Sequence, residues 1–291
     1  MVLIVLAFTF EHNRRHPFLN TRWMGQSQMI RLALAAMLVR FILSEQTYGS
    51  VGLMTTLGMG PDQLRSLYLV ILLATVAGIV VSALVLDPTR LGGPMLVALA
   101  IMAVGSFMDA DATNLTRPHQ IYLTQGMLAF AAALFLAPAL LFGIAKVLEH
   151  GAGNIVSFIA TFSLSQSMGG LAGSALLGSL QVVREKFHSN QIVEGLNPAN
   201  PVVAHQFDTY AGAYAHVLTD PALRTAEGHA LVSQLATRGA NILASNDVFF
   251  VIGVIATITF LWIAAVTVRQ RLRTRAQALA AAQANPNAGQ L

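Results

Sequence analysis

Five stretches of this chain carry no charged residue at all: 66–86, 91–108, 121–145, 152–183 and 248–268. Each is close to or above the roughly 20 residues that cross a bilayer as a helix, so each reads as a transmembrane span. A sixth stretch, 32 to about 57, is apolar for most of its length but holds Arg40 and Glu45. In chain order these are spans A (32–57), B, C, D, E and F. Pro94 and Pro138 fall inside spans, where neighbouring helices can satisfy the backbone groups a proline frees.

The polar breaks set the organisation. Residues 1–10 are apolar but too short to cross, reaching only about 15 Å as a helix. A signal peptide would need a basic segment before the apolar run and a small-residue cleavage site after it, and neither is there. The stub therefore reads as the remnant of a transmembrane helix whose start is missing, with a short interfacial anchor as the alternative. Residues 11–31 form a basic hinge, 32–182 carry spans A to E, 183–246 a long polar loop, 247–268 span F, and 269–291 a basic tail that ends in an Ala-, Gln- and Asn-rich stretch expected to be disordered. Within the long loop, Asn200-Pro201 and Asp220-Pro221 each place an N-cap residue before proline at a first helical position. Leu223, Leu231, Leu235 and Ile242 make an apolar stripe on the second helix, so the loop is expected to be a small helical cap outside the membrane.

Counting Lys and Arg gives the orientation. Arg14, Arg15, Arg22, Arg31, Arg90, Lys146, Arg269, Arg271, Arg273 and Arg275 share one side; Arg65, Arg117, Arg184, Lys186, Arg224 and Arg238 are spread thinly over the other. The positive-inside rule puts the first set, and both ends of the six-span unit, in the cytoplasm. The expected fold class is an all-α membrane protein: a six-helix transmembrane bundle with a small helical extracytoplasmic cap.

Composition agrees. The chain is 55% hydrophobic and 10% charged, and its mean hydropathy of +0.63 is far above that of a soluble domain. It has no cysteine, which excludes disulfides, cysteine-ligated metals and thiol catalysis. Nucleotide-binding, metalloprotease and nucleophile-elbow motifs are absent, so neither an enzyme nor a nucleic-acid binder is expected, and no metal or cofactor. His188, His205, His216 and His229 fall at irregular spacings in the long loop and read as solvated or locally hydrogen-bonded.

Span A carries the candidate chemistry. With its inner edge near Leu32, Arg40 lies about 12 Å and Glu45 about 20 Å into the hydrocarbon. An ionised side chain there costs about 2.5–3.5 kcal/mol on insertion scales, so such groups face a bundle interior or a wet cavity and find partners. The two are about 140° apart around the helix axis and cannot pair with each other. Partners must come from other helices, such as Gln125 on D or Asn154 and Gln166 on E, or from a second chain. Glu45 then reads as a proton carrier or a contact for a cationic solute, or else as a residue in a bent helix end close to water. Arg40 reads as a group that sets the local potential, or as one that snorkels to the interface. On span E, Ser165, Gly169 and Gly173 form one small-residue column and Gly170, Ser174 and Gly178 the next; span B repeats the device with Ala74, Gly78 and Ser82. Such columns let helix backbones approach closely.

Four segments, "FTFEHNRRHPFLN", "RFILSEQTYGSVGLMTTLGMGPDQLRSLYLV", "LDPTRLGGP" and "FSLSQSMGGLAGSALLGSLQVVREKFHSNQ", make the chain resemble the carboxy-terminal half of a major facilitator superfamily transporter, of the fourteen-span drug/proton antiporter kind (EmrB/QacA type) of Gram-negative bacteria. The resemblance implies that spans A to F are a half-fold of two inverted three-helix repeats in the inner membrane, and that the stub belongs to an extra middle helix. It also implies proton-coupled efflux of small amphipathic or cationic solutes, driven by the proton gradient, with a missing amino-terminal half or partner subunit supplying the other side of the solute site. Glu45, with Arg40 and Gln46 near it, would line the central cavity, and Gln125 and Gln166 are further candidates. The turn from Asp87 to Gly92 departs from the family's acidic-arginine-glycine loop by a proline and an altered spacing, and so takes no gating role. Two alternatives from other classes stand beside this one: a non-transporting six-span scaffold or assembly subunit that binds through its cap, and a fragment inactive by itself. A homodimer would have to make one sequence serve both halves.

Overall fold

The computed structural model describes residues 9, 10, 12–14, 18–197 and 199–284. Residues 1–8, which hold most of the stub, and 285–291 lie outside them. Of the described residues 86% are helical and none is in a strand. A one-turn helix α1 (Thr21–Met24) leads into α2 (Ser27–Ile42). A π-helical turn (Gln46–Val51) and the short α3 (Gly52–Thr56) complete span A. Spans B to F are α4 (Pro61–Val85), α5 (Gly92–Met108), α6 (Tyr122–His150), α7 (Ile155–Gly195) and α9 (Pro221–Ala284), with α8 (Pro201–Gly212) between the last two. Six of these units are long and apolar enough to cross a membrane: with no water to satisfy backbone groups there, an apolar chain spans as helix.

Two helix boundaries fall differently from the hydropathy reading. α7 does not stop at Val183 but runs twelve residues further, to Gly195. The second helix of the polar loop is the start of span F itself: α9 is one helix of 64 residues, about 95 Å long. It also continues to Ala284, past the point where the tail was expected to lose structure. The reason is the same throughout: charge ends a hydropathy span but not a helix, and no proline interrupts either segment. The proline-led starts are as expected, with Asn200 Oδ1 accepting from the Val202 N–H at 3.0 Å and Asp220 Oδ1 from the Ala222 N–H at 2.9 Å. Of the expected stripe, Ile242 is buried while Leu223 and Leu235 are exposed. α8 lies along α9 at Gly228, with the Phe207 and His229 rings stacked at 4.6 Å.

α2 packs on α7 and α4 on α6, while α5 and α9 pack on each other and on α6 and α7 respectively. The small-residue columns are the seats. A Cβ on Gly173 would come within 2.8 Å of Ser44 Cβ and 3.1 Å of the Phe41 carbonyl, and one on Gly169 within 3.0 Å of Arg40 Cβ. On α4, a Cβ at Gly78 would lie 2.9 Å from Ala133 Cβ and 3.1 Å from Phe130 Cα, and Ser82 donates to the Leu134 carbonyl at 3.4 Å. The second column of α7 lies at the rim. A Cβ on Gly170 would stand 3.5 Å from Arg40 Nε and one on Gly178 3.6 Å from the Tyr48 ring, while Ser174 is half-buried.

The apolar interior is divided. One cluster, with Ile42, Leu99, Met102 and Ile252, fills the bundle toward the arginine-rich end, where Arg31, Arg90, Lys146 and Arg269 stand. A second, with Leu53, Met54, Ile121, Ile242 and Phe249, closes the opposite end.

Candidate functional site

Between the two clusters lies a layer of polar groups. Glu45, on span A where the π turn begins, is fully buried. Its Oε2 accepts a hydrogen bond from Ser106 Oγ of α5 at 2.8 Å and its Oε1 one from Gln125 Nε2 of α6 at 3.1 Å. The same Gln125 nitrogen donates to Asp109 Oδ2 at 2.8 Å, and Thr124 Oγ1 donates to Asp109 Oδ1 at 2.6 Å. Asp109 is 5% exposed, and its carboxyl meets that of Glu45 at the one Gln125 nitrogen. Two carboxyl groups thus share one amide, and each of their four oxygens accepts from a neutral donor. Among the described residues no cation pairs with either acid. Gln125 Oε1 is buried with no donor.

Local backbone geometry makes this layer possible. The π turn adds a residue to one turn of span A, a local feature common at functional positions. Gly49 within it leaves room for the Phe249 ring beside the π turn, since a Cβ there would meet the ring at 3.1 Å and Glu45 Cγ at 3.2 Å. Asp109 begins a 3₁₀ turn, Asp109–Asp111, that closes α5. Asn246 of α9 grips the backbone just past it in both directions, accepting from the Ala112 N–H at 3.1 Å and donating to the Ala112 carbonyl at 2.9 Å. Asn246→Ala leaves both backbone groups without their partner and is expected to cost about 1–3 kcal/mol, read as a fall in thermal midpoint in detergent.

The residues singled out in the sequence separate into two sets. Glu45, Gln46 and Gln125 meet, with Gln46 Nε2 donating to the Gln125 carbonyl at 3.3 Å. Glu45 faces the inside of the bundle, whereas Arg40 is exposed on the far side of α2, against Gly170. Gln166 donates to the Ala36 carbonyl at 3.3 Å, and Asn154 accepts from Asn20 Nδ2 at 2.9 Å, so both are spent tying helices together away from the acids. Asp109 is the member the sequence reading missed. The hydropathy boundary at Met108 put it outside the membrane, and the acidic pair Asp109 and Asp111 directly after a charge-free span was the available signal.

A second polar group stands where α7 extends past the hydropathy boundary. Asp247 Oδ2 accepts from Arg184 Nε and lies against His188 Nε2, each at 2.6 Å, which ties α7 to α9. Its partners are partly solvated. Asp247→Ala is therefore expected to lower stability by no more than about 1 kcal/mol, measured as thermal midpoint, and to leave the bundle assembled. Among the described residues no three His, Asp or Glu side chains converge.

No known protein family and no curated protein matches this sequence.

Proposed function

We propose that the chain is a six-helix bundle of a proton-coupled membrane transporter, that the Glu45–Asp109 pair is its proton-binding group, and that a partner bundle completes the solute path. The observation that carries this reading is the pair itself. Two carboxylates held by neutral donors at membrane depth, with no cation beside them, would place two like charges on one amide in a low-dielectric interior. One proton between the two carboxyl groups relieves that repulsion. Ionisable residues buried in spans line proton routes in pumps and transporters.

One further feature supports a half-fold of inverted repeats. Exchanging spans A, B, C with D, E, F turns the contact of α2 on α7 into that of α6 on α4, and both contacts are seated on small-residue columns. Such repeats are a common plan of transporters. The partner bundle is supported by Arg40 and Tyr48, which lie on an exposed face of span A: an arginine at lipid depth needs a wet cavity or a neighbour to cover it. Small amphipathic or cationic solutes remain the proposed cargo and the inner membrane, with both ends cytoplasmic, the proposed location.

The test is direct. Membrane vesicles from cells making this chain, in which any partner chain is present, are given an imposed pH gradient and a cationic dye. Gradient-driven dye movement above that of vesicles lacking the chain is expected; none would contradict the reading.

A further inference from the structure

At the arginine-rich end the bundle opens into a cavity of about 730 Å³. Its polar wall brings together Arg31 from α2, Arg90 from the turn between α4 and α5, and Arg271 and Arg275 from α9. Trp262 stands at its side, and the rest of the lining mixes apolar residues, Leu32, Met95 and Phe142 among them, with neutral polar ones such as Gln28, Thr267 and Gln270. A groove of about 420 Å³ shares Arg31 and Trp262 with it and adds Arg269 and Arg273. No Asp or Glu lines either space. Among the described residues, none of the four cavity arginines makes an ion pair. The acid of the neighbouring turn, Asp87, is committed locally, its Oδ1 accepting from the Thr89 N–H at 2.8 Å and from Thr89 Oγ1 at 2.7 Å.

Four guanidinium groups from three separate elements, with no acid in the lining and only Asp87 near enough to act on one of them, Arg90, make a site for anionic oxygen, and guanidinium matches phosphate through paired N–H donors. The apolar wall and the tryptophan add what a free anion does not need. Tryptophan favours headgroup depth, and the site stands where three spans leave the apolar zone. Basic pockets between spans are where phospholipid headgroups bind. We propose that this cavity binds the headgroup of an anionic phospholipid, its phosphate on the arginines and its glycerol and first acyl carbons against the apolar wall. A lipid there would join α2, the α4–α5 turn and α9. The proposal does not depend on transport.

The full chain, made in its membrane, is purified in mild detergent, and the lipid it retains is identified by native mass spectrometry. It is then placed in nanodiscs of phosphatidylcholine alone or with one tenth phosphatidylglycerol or cardiolipin. Retention of anionic lipid is expected. It should fall by at least ten-fold in Arg31→Gln/Arg271→Gln/Arg275→Gln, since each arginine near a headgroup contributes roughly five-fold. The matching lysine variant should recover most of it, and Arg117→Gln, at the opposite end, should change nothing. If the triple variant does not elute as a folded species, Arg90→Gln and Arg271→Gln singly carry the test, each with a loss of about five-fold. Equal retention of zwitterionic and anionic lipid, or retention indifferent to the arginines, would overturn the proposal. So would complete displacement of the lipid by millimolar inorganic phosphate, which would make this a free-phosphate site, or binding of a polyglutamate peptide in place of lipid.

Discussion

Glu45→Gln is expected to cut proton-gradient-driven solute movement by at least ten-fold while leaving the bundle folded. The substitution keeps shape and one of the two hydrogen bonds: a glutamine oxygen can still accept from Ser106 Oγ, as Glu45 does at 2.8 Å, while the bond that Glu45 accepts from Gln125 Nε2 at 3.1 Å is lost unless the Gln125 amide turns over. What it removes is the group that takes up and gives back a proton. Replacing a buried charge with a neutral isostere in the same hydrogen-bond network costs little stability and can add some. Asp109→Asn should give a loss of the same size, because both carboxyl groups lie on one amide nitrogen. The double variant should be no worse than either single one, as expected for residues that act as a unit. Efflux of a cationic dye from vesicles, with the amount of folded protein measured alongside, checks all three. Undiminished transport in Glu45→Gln removes the pair from the mechanism.

Gly173→Leu is expected to be the most damaging change to the fold. A Cβ alone would meet Ser44 Cβ at 2.8 Å and the Phe41 carbonyl at 3.1 Å, and backbone cannot step aside as a side chain can. α2 would have to move off α7. Overpacking of this kind costs about 3 kcal/mol or more, which for a chain of this size is a drop of about 10 °C in thermal midpoint. Gly78→Leu should do the same to α4 on α6, whose backbone approaches it equally closely. Gly170→Ala is the control. Its Cβ would stand at ordinary contact distance from the flexible Arg40 side chain, and a change within about 2 °C is expected. Equal effects at Gly170 and Gly173 would mean that the columns are not the seats.

How much of this was legible in the sequence differs from element to element. The six spans were, because a long charge-free run has few other uses. Gln125 was too: one amide in an otherwise apolar run marks a polar partner, and it proves to be the hub that Glu45 needs. The outer extents of α7 and α9 were not, because hydropathy measures what lipid tolerates and helix geometry does not end where lipid does. The π turn was invisible for a related reason. Nothing in the segment Gln46–Val51 forbids a regular helix, so no local signal marks the added residue. Asp109 shows the cost of that blindness. Counted along the chain it lies one residue beyond a span; in space its carboxylate is held under the first turn of α6 by Thr124 and Gln125.

The exposed face of span A leads to a further expected result. If Arg40 and Tyr48 meet a partner bundle, photoreactive groups placed at Met37 and Thr47 should crosslink to a second polypeptide in intact membranes. Groups at Leu69 and Leu72, exposed on α4, should react mainly with lipid where no partner covers that helix.

The most direct test of the central claim is the infrared spectrum of the protein in lipid at neutral pH. One proton between Glu45 and Asp109 predicts a carboxylic-acid C=O band that shifts in deuterium oxide and disappears or moves in both Glu45→Gln and Asp109→Asn. A spectrum with no such band, or a band indifferent to both substitutions, would show that the pair carries no proton and would contradict the account.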